Sequence, residues 1–454
     1  MVRFAIIENG VILALHKLAR LCTKQVSLAR LRNIMKETLL KLHRDSLFRN
    51  SFYLILATGV MAGFGFFFWL ISARMVTPDN IGIATTLISV MNIIAIFSLI
   101  GFDSTLIRFL ANSDKKNAKL NTSIILVGCA ALLLSSIFIA LIHQISPRLE
   151  PIFAHPGYAF AFIAFCVMSS INILTDAAFL AYREAKFSLI INAVFSFIKM
   201  LLPLLFAPWG AFGIFAAAAG GQTIGFILSI AALMWKFNYR PEFIINKDVL
   251  REVGRYSVGN YIAGALNLLP VTLLPLIITN HLGSKESAYF YIVMMIGNLL
   301  YAIPFAVTKS LFAESANDER TTIRNVKKSV RFISFLMVPS ILALCALGKF
   351  ILGFFGKTYS SEGIAFLYLV AITGIAVSGY ALCSSLLKVR KGVTGLIAMN
   401  SIYAGVVIIC AYLFIPYGLV GIGYAWLTGN AAAGIFGFLL FRYYRRKVRG
   451  TATA

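Results

Sequence analysis

The stretch "WLISARMVTPDNIGIATTLISVMNIIAIFSLIGFDSTLIRFLAN" occupies residues 69–112, and its reading decides the fold of the whole chain. It holds the end of one apolar run, a turn carrying Arg74, Pro78 and Asp79, and a second apolar run. A hydrocarbon layer about 30 Å thick is crossed by about 20 apolar residues in helical form. Two such runs joined by a polar turn therefore predict a membrane hairpin. The second run also carries Asn92 at its middle and Asp103 near its end, just before Arg108. An amide or a carboxylate is costly against lipid and belongs on a face turned to protein or water.

The rest of the chain follows the same pattern. Of 454 residues, 59% are hydrophobic and 13% charged, against roughly 25% charged in soluble domains. Hydropathy predicts twelve spans, near 51–72, 83–107, 120–142, 157–181, 187–206, 211–234, 256–279, 287–308, 330–355, 364–386, 394–414 and 419–441. With these spans, thirty-five of the 41 Lys and Arg residues fall on the side that holds both termini. The opposite side has Arg74, Arg148, Lys285 and Lys357, and Lys199 and Lys349 lie within spans. That asymmetry places the basic side and both termini in the cytoplasm. The net charge of +24 is thus explained by topology, and nucleic acid is not expected as a partner.

Residues 1–50 set Leu28, Leu31, Met35, Leu39 and Leu42 on one stripe among basic residues. This is the pattern of an amphipathic helix on an anionic leaflet; a solvated basic tail fits the same composition. Glu8 and Asn9 interrupt the only early apolar run, so a cleaved secretory leader is not expected. The six cysteines (22, 129, 166, 345, 383 and 410) show no paired spacing, and the five histidines show no ligand spacing. No metal site, cofactor or catalytic dyad is expected. "GKTYSS" at Gly356 has Ile351 where a phosphate-binding loop needs its first glycine.

A weak repeat appears at an offset of 206. "RNSF" at Arg49 meets "RYSV" at Arg255, Asn92 meets Asn298, and Asp103 meets Lys309. Six spans separate the copies, so the repeats are parallel. The expected fold is an all-α integral membrane protein, with twelve transmembrane helices in two parallel six-helix lobes around a central cavity. The expected division is a basic segment 1–50, lobes 51–234 and 256–441, a cytoplasmic linker 235–255 and a basic tail 442–454. Asn92 and Asn298 would then project into one cleft between the lobes.

The segment "FFFWLISARMVTPDNIGIATTLISVMNIIAIFSLIGFDSTLIRFLA" resembles the opening of polysaccharide flippases, also called O-antigen or teichoic-acid exporters. The residues that carry the resemblance are Ala73, Arg74, Pro78 and Gly82 in the turn, then Gly101 and "LIRF" at 106–109. Asp103 departs from it, standing where many relatives have a small residue. The resemblance implies a transporter in the cytoplasmic membrane, related to multidrug exporters and lipid II flippases, that moves polyprenyl-linked oligosaccharide. It also implies a cavity lined by the first, second, seventh and eighth spans. Membrane lipid and enzymes of polysaccharide assembly are the expected partners, and one chain suffices as a monomer.

Such a substrate calls for cations at its phosphates and amides at its sugars. Arg49, Arg108, Arg255 and Lys309 stand at the cytoplasmic mouth in this reading, where ordinary anchoring accounts for them too. Asp103 and Lys309 are opposite in sign and symmetry-related, which suits a gate or snorkelling from helix ends. Lys199 lies deep in the fifth span. Asn260, Gly264 and Asn267 form a polar stripe on the seventh, which also holds Pro270 and Pro275 and is expected to bend. Asn172 and Asp176, four apart on the fourth span, suit cation coupling or plain helix–helix hydrogen bonding. Gly59-xxx-Gly63 and Gly221-xxx-Gly225 read as close helix contacts. The competing function is a cation-coupled drug or solute exporter of the same superfamily.

Overall fold

The computed structural model describes residues 46–111, 113–243, 245–246, 258–317, 322–389 and 392–451. The basic segment 1–45 and Arg255 lie outside the described residues, as do the side chains of Arg49 and Asn260. The long helices are α1 (Ser46–Met75), α2 (Pro78–Leu99), α3 (Lys116–Ala140), α4 (Pro156–Ala181), α5 (Ala185–Leu201) and α6 (Gly210–Phe237). They continue as α7 (Val258–His281), α8 (Ser284–Asn317), α9 (Thr322–Gly353), α10 (Ile364–Val389), α11 (Val393–Phe414) and α12 (Gly418–Thr451). No strand occurs among the described residues. Ten segments are long and apolar enough to cross a membrane; two of them, of 53 and 50 residues, contain α5 with α6 and α11 with α12.

The opening hairpin shows how local chemistry sets these boundaries. Thr77, in extended conformation, accepts a hydrogen bond from the Asn80 amide (3.5 Å), and Pro78 occupies the first turn, a favourable helix start. At the other end Ile100 (φ 48°) and Gly101 (φ 86°) take the left-handed conformation that stops a helix. The second span therefore ends at Leu99 and does not run to 107. A separate short helix, Phe102–Phe109, follows it and buries Phe102, Thr105 and Leu106. Asp103 and Arg108 belong to this short helix, so the carboxylate is not inside a span at all.

The two halves are packed alike. α1 lies on α5 as α7 lies on α11, α2 on α4 as α8 on α10, α4 on α6 as α10 on α12, and α5 on α6 as α11 on α12. Their corners match in sequence as well. "FAPWGAFGI" at 206–214 and "FIPYGLVGI" at 414–422 both form a 310 turn before a glycine with positive φ, 61° at Gly210 and 64° at Gly418. In each corner the next helix folds back on the phenylalanine carbonyl. A Cβ on Gly213 would sit 1.8 Å from Phe206 O, and one on Gly421 would sit 2.0 Å from Phe414 O. The halves meet through α2, which packs against both α7 and α8.

Asn121, at the start of α3, fastens the chain where it leaves α6. Its side chain accepts from Tyr239 Oη (2.6 Å) and the Glu242 amide (3.2 Å), and donates to Arg240 O (2.9 Å). Burial pushes the Tyr239 phenol up to about 12, so it remains a donor at neutral pH. Asn121→Ala leaves buried polar groups unpaired, which costs about 1–3 kcal/mol. The expected result is a lower Tm for the purified protein; an unchanged Tm would show that this clamp contributes nothing.

Candidate substrate site

Two ends of the bundle differ in chemistry. The basic end is where α2 leads into α3, α4 into α5, α6 into α7 and α10 into α11, and its described residues include Arg108, Lys115, Lys116, Arg183, Lys236, Arg240 and Lys388. The opposite end is where α1 turns into α2 and α7 into α8.

At the opposite end the halves are closed by a polar seam. A Cβ on Gly82 of α2 would lie 1.6 Å from Ser284 O at the start of α8, so the two backbones touch. One turn on, Thr86 Oγ1 meets Thr279 Oγ1 of α7 (2.5 Å), Ser287 Oγ of α8 (3.2 Å) and Pro275 O (3.4 Å). All three hydroxyl residues are fully buried. Nearer the surface, Ser284 donates to Asp79 Oδ1 (2.7 Å), and Lys285 Nζ stands 3.6 Å from Asp79 Oδ2. Ser146, between α3 and α4, donates to Asn280 Oδ1 (2.6 Å). α1 joins through its last turns, where Trp69 packs on Tyr291, Phe66 on Phe355, and Arg74 Nε donates to Phe354 O (2.7 Å).

Toward the basic end α1 and α8 part. Gly59, Gly63 and Gly65 have no atom within 4 Å of where a Cβ would be. Gly59-xxx-Gly63 is therefore an open face and not the close contact expected. Gly221-xxx-Gly225 is a close contact, since Cβ atoms there would come within 2.6 Å of Lys199 Cβ and 2.8 Å of a Phe195 ring carbon. On α8 the residues Asn298, Ala302, Phe305, Ala306 and Lys309 are exposed along one stripe. On α7 Gly264 is exposed and faces empty space. The halves are thus shut at the opposite end; toward the basic end α2 and α7 still meet through Tyr261 and Ile96 O, while the described faces of α1 and α8 are exposed beside them.

The expected site residues fall into three groups. Asn92 (half-buried, on α2) and Asn298 (exposed, on α8) make no side-chain hydrogen bond with any described residue. Lys199 is half-buried on α5, and its ammonium stacks over the Phe68 ring of α1 at 4.9 Å, with no acidic partner among the described residues. None of the three has a hydrogen-bond or ion-pair partner among the described residues.

A second group is tied within one half. Asn267 donates to Tyr380 Oη (2.6 Å), which donates to Asn400 Oδ1 (2.8 Å), whose amide donates to Ala263 O (2.7 Å). Asn267 thereby braces α7 against α10 and α11. Asp176 on α4 accepts from Ser188 Oγ of α5 (2.6 Å), and Asn192 donates to that serine (3.1 Å). Asn172 is buried one turn away.

The third group lies at the basic end. Asp103 and Lys309 form no ion pair in this conformation. Asp103 is half-buried on its short helix, and the link across the halves at this end is the bond from Tyr261 of α7 to Ile96 O (3.2 Å). Lys309 is exposed toward the end of α8, and Lys388 is exposed in the last turn of α10. Arg108 stacks over the neighbouring Phe109 ring at 5.3 Å.

Of the seam residues, Gly82 stands out in the sequence only as part of the turn motif, and Thr86, Thr279 and Ser287 do not stand out at all. Small and hydroxyl residues in spans carry only the generic signal of helix packing. Their clustering depends on how α2 crosses α7 and α8.

This architecture is that of multi-pass membrane transporters, and solved structures of that class share it. An inward-facing multidrug resistance MATE family transporter of the MOP superfamily superposes with a TM-score of 0.69 at 14% identity, over 87% of this chain and 99% of that chain. The lipid II flippase MurJ in an inward closed conformation gives 0.68 at 13%, over 86% and 87%. A MOP superfamily transporter from Pyrococcus furiosus gives 0.64 at 14%, over 89% and 97%. Such identities establish a common fold. A family model described as a polysaccharide biosynthesis protein matches residues 71–362, and the chain belongs to that family. No curated protein matches the sequence significantly.

Proposed function

We propose that this protein flips a lipid-linked oligosaccharide, carried on polyprenyl pyrophosphate, across the cytoplasmic membrane by alternating access for cell-surface polysaccharide synthesis. In this reading the chain crosses twelve times, with both termini in the cytoplasm, lobes at 51–234 and 256–441, and one chain sufficient as a monomer. The observation that carries it is the pair of unpartnered amides, Asn92 and Asn298, on opposite halves of a bundle shut at the end away from its basic side. Sugar hydroxyls satisfy such amides. Lys309 and Lys388, two exposed cations at the mouth, suit a pyrophosphate. The exposed faces of α1 and α8 let the polyprenyl tail stay in lipid while the headgroup enters.

The test is translocation of a fluorescent lipid-pyrophosphate oligosaccharide in liposomes holding the pure protein, read by an impermeant quencher. Flipping above empty liposomes is expected, and loss of it in the Asn92→Leu/Asn298→Leu variant, with folded protein retained. Wild-type flipping by that variant removes the two amides from the site. The competing reading, a cation-coupled exporter, draws on Asp176 with Ser188 and Asn192. No flipping, together with gradient-driven export of a cationic dye, would establish it instead.

A further inference from the structure

The opposite end is poor in cations: outside the basic side only Arg74, Arg148, Lys199, Lys285, Lys349 and Lys357 occur. Three of these six converge at one place. A cavity of about 490 Å³ lies where α9 ends and α10 begins, lined by Lys349, Gly353, Lys357, Ser360, Ser361 and Tyr368, among others. Arg74 reaches its edge, donating to Gly353 O (3.3 Å) and Phe354 O (2.7 Å).

The C-terminal carbonyls of a helix attract cations, and at α9 that role is filled by Arg74. Lys349 and Lys357 are left without an ion pair among the described residues, and the Tyr368 hydroxyl without a hydrogen bond. Ser360 and Ser361 already donate to backbone carbonyls, so their oxygens serve only as acceptors. Glu362, the nearest acid in sequence, does not line the cavity and stands near Glu286. The cavity thus gathers two unneutralised ammonium groups and a free hydroxyl donor.

We propose that this cavity binds the phosphate of an anionic membrane lipid, in the leaflet opposite the basic end. A lipid, and not a free anion, is indicated by the surroundings. Ile364 lines the cavity, and Leu347 and Phe350 on α9, Phe354 just after it, and Ile372 and Ile375 on α10 are all exposed, so the two elements that form the cavity also offer apolar surface for acyl chains. Charge-assisted bonds from two lysines to one phosphate are the strong kind. The site lies away from the Asn92 and Asn298 faces and goes beyond the transport reading, because a bound lipid here need not be the cargo.

Phosphatidic acid is the probe, titrated onto the full chain in detergent and counted by native mass spectrometry. Lys349→Gln/Lys357→Gln is expected to weaken the tightest-bound lipid at least about tenfold, which is about 1.4 kcal/mol. Lys327→Gln/Lys328→Gln removes the same charge at the other end of α9 and is expected to leave it unchanged. Both pairs replace exposed side chains, and an equal Tm without lipid verifies their folding. Equal affinity in the first variant and wild type, or an equal loss in both variants, overturns the site. Displacement of the lipid by inorganic phosphate at similar concentration overturns the lipid assignment. The readout is lipid retention, so it fails or succeeds independently of transport.

Discussion

Gly82→Ala is expected to shift the protein away from the closed seam and to cost it most of its transport. The added Cβ would lie 1.6 Å from Ser284 O and 2.4 Å from its carbonyl carbon. Both are backbone atoms, which cannot rotate aside as a flexible side chain would. Overpacking of this kind costs about 1–3 kcal/mol, and here the cost falls on one conformation only. The seam exists in the closed state and must part when the bundle opens at that end. Its hydroxyls can then turn to water, so the cost of separation is small beside that of parting a dry apolar contact. A penalty confined to the closed state moves the equilibrium toward the open one, by a factor of ten for each 1.4 kcal/mol or so.

The measurement is thiol accessibility. Ser287→Cys, on a background lacking native cysteines, places a reporter in the buried seam. In the parent it is expected to resist an impermeant maleimide applied from the opposite end. With Gly82→Ala its labelling is expected to rise about tenfold or more, with a matching fall in flipping. Equal protection in both proteins, with normal transport, would show that α2 and α8 can shift without consequence.

The hairpin of residues 69–112 was legible because its boundaries are local. Pro78, the polar turn and the length of the apolar run act within a few residues of one another. The end of α2 was also written locally, in "LIGF", where Gly101 accepts a left-handed φ. A glycine inside an apolar run is common in spans, however, and so the stop was read through to 107. The repeat carried a clearer signal than the one at offset 206. "FAPWGAFGI" and "FIPYGLVGI" agree at five of nine positions, because a tight corner constrains each residue sterically while a lipid-facing helix constrains few.

The site was legible only in part, for a physical reason. Polar residues in spans announce that they avoid lipid, but not whether protein or water receives them. Asn92, Asn267 and Asn298 are equivalent on that criterion. Only the packing of α7 against α10 and α11 gives Asn267 a partner in Tyr380 and leaves the other two without one. Asp103 and Lys309 likewise are matched in the repeat. Yet the stop at Gly101 puts Asp103 on a separate short helix, while Lys309 stays on the continuous α8.

Lys199→Leu is expected to reduce flipping at least about tenfold while leaving the protein as stable as before, or more so. The stem of Lys199 sits in the notch made by Gly221, and its ammonium stacks on the fully buried Phe68 ring at 4.9 Å. It stands in the last turn of α5, about 21 Å from its start at about 1.5 Å per residue, with the apolar residues 200–206 following it. Cation–π attraction is worth about 0.5–2 kcal/mol, less than the several kcal/mol that withdrawing an ion from water costs. Leucine of similar bulk removes that cost, so a purely structural lysine would be replaced with no loss of function. A lysine that meets the phosphate in transit contributes a hydrogen bond of the charged kind, about 1.5–3 kcal/mol, and its loss appears in transport alone. Lys199→Arg keeps the charge and is expected to retain part of the activity. Flipping and Tm measured on the same preparations separate the cases: lost transport with an unchanged or higher Tm supports the role, whereas wild-type flipping by the leucine variant removes Lys199 from the substrate's path.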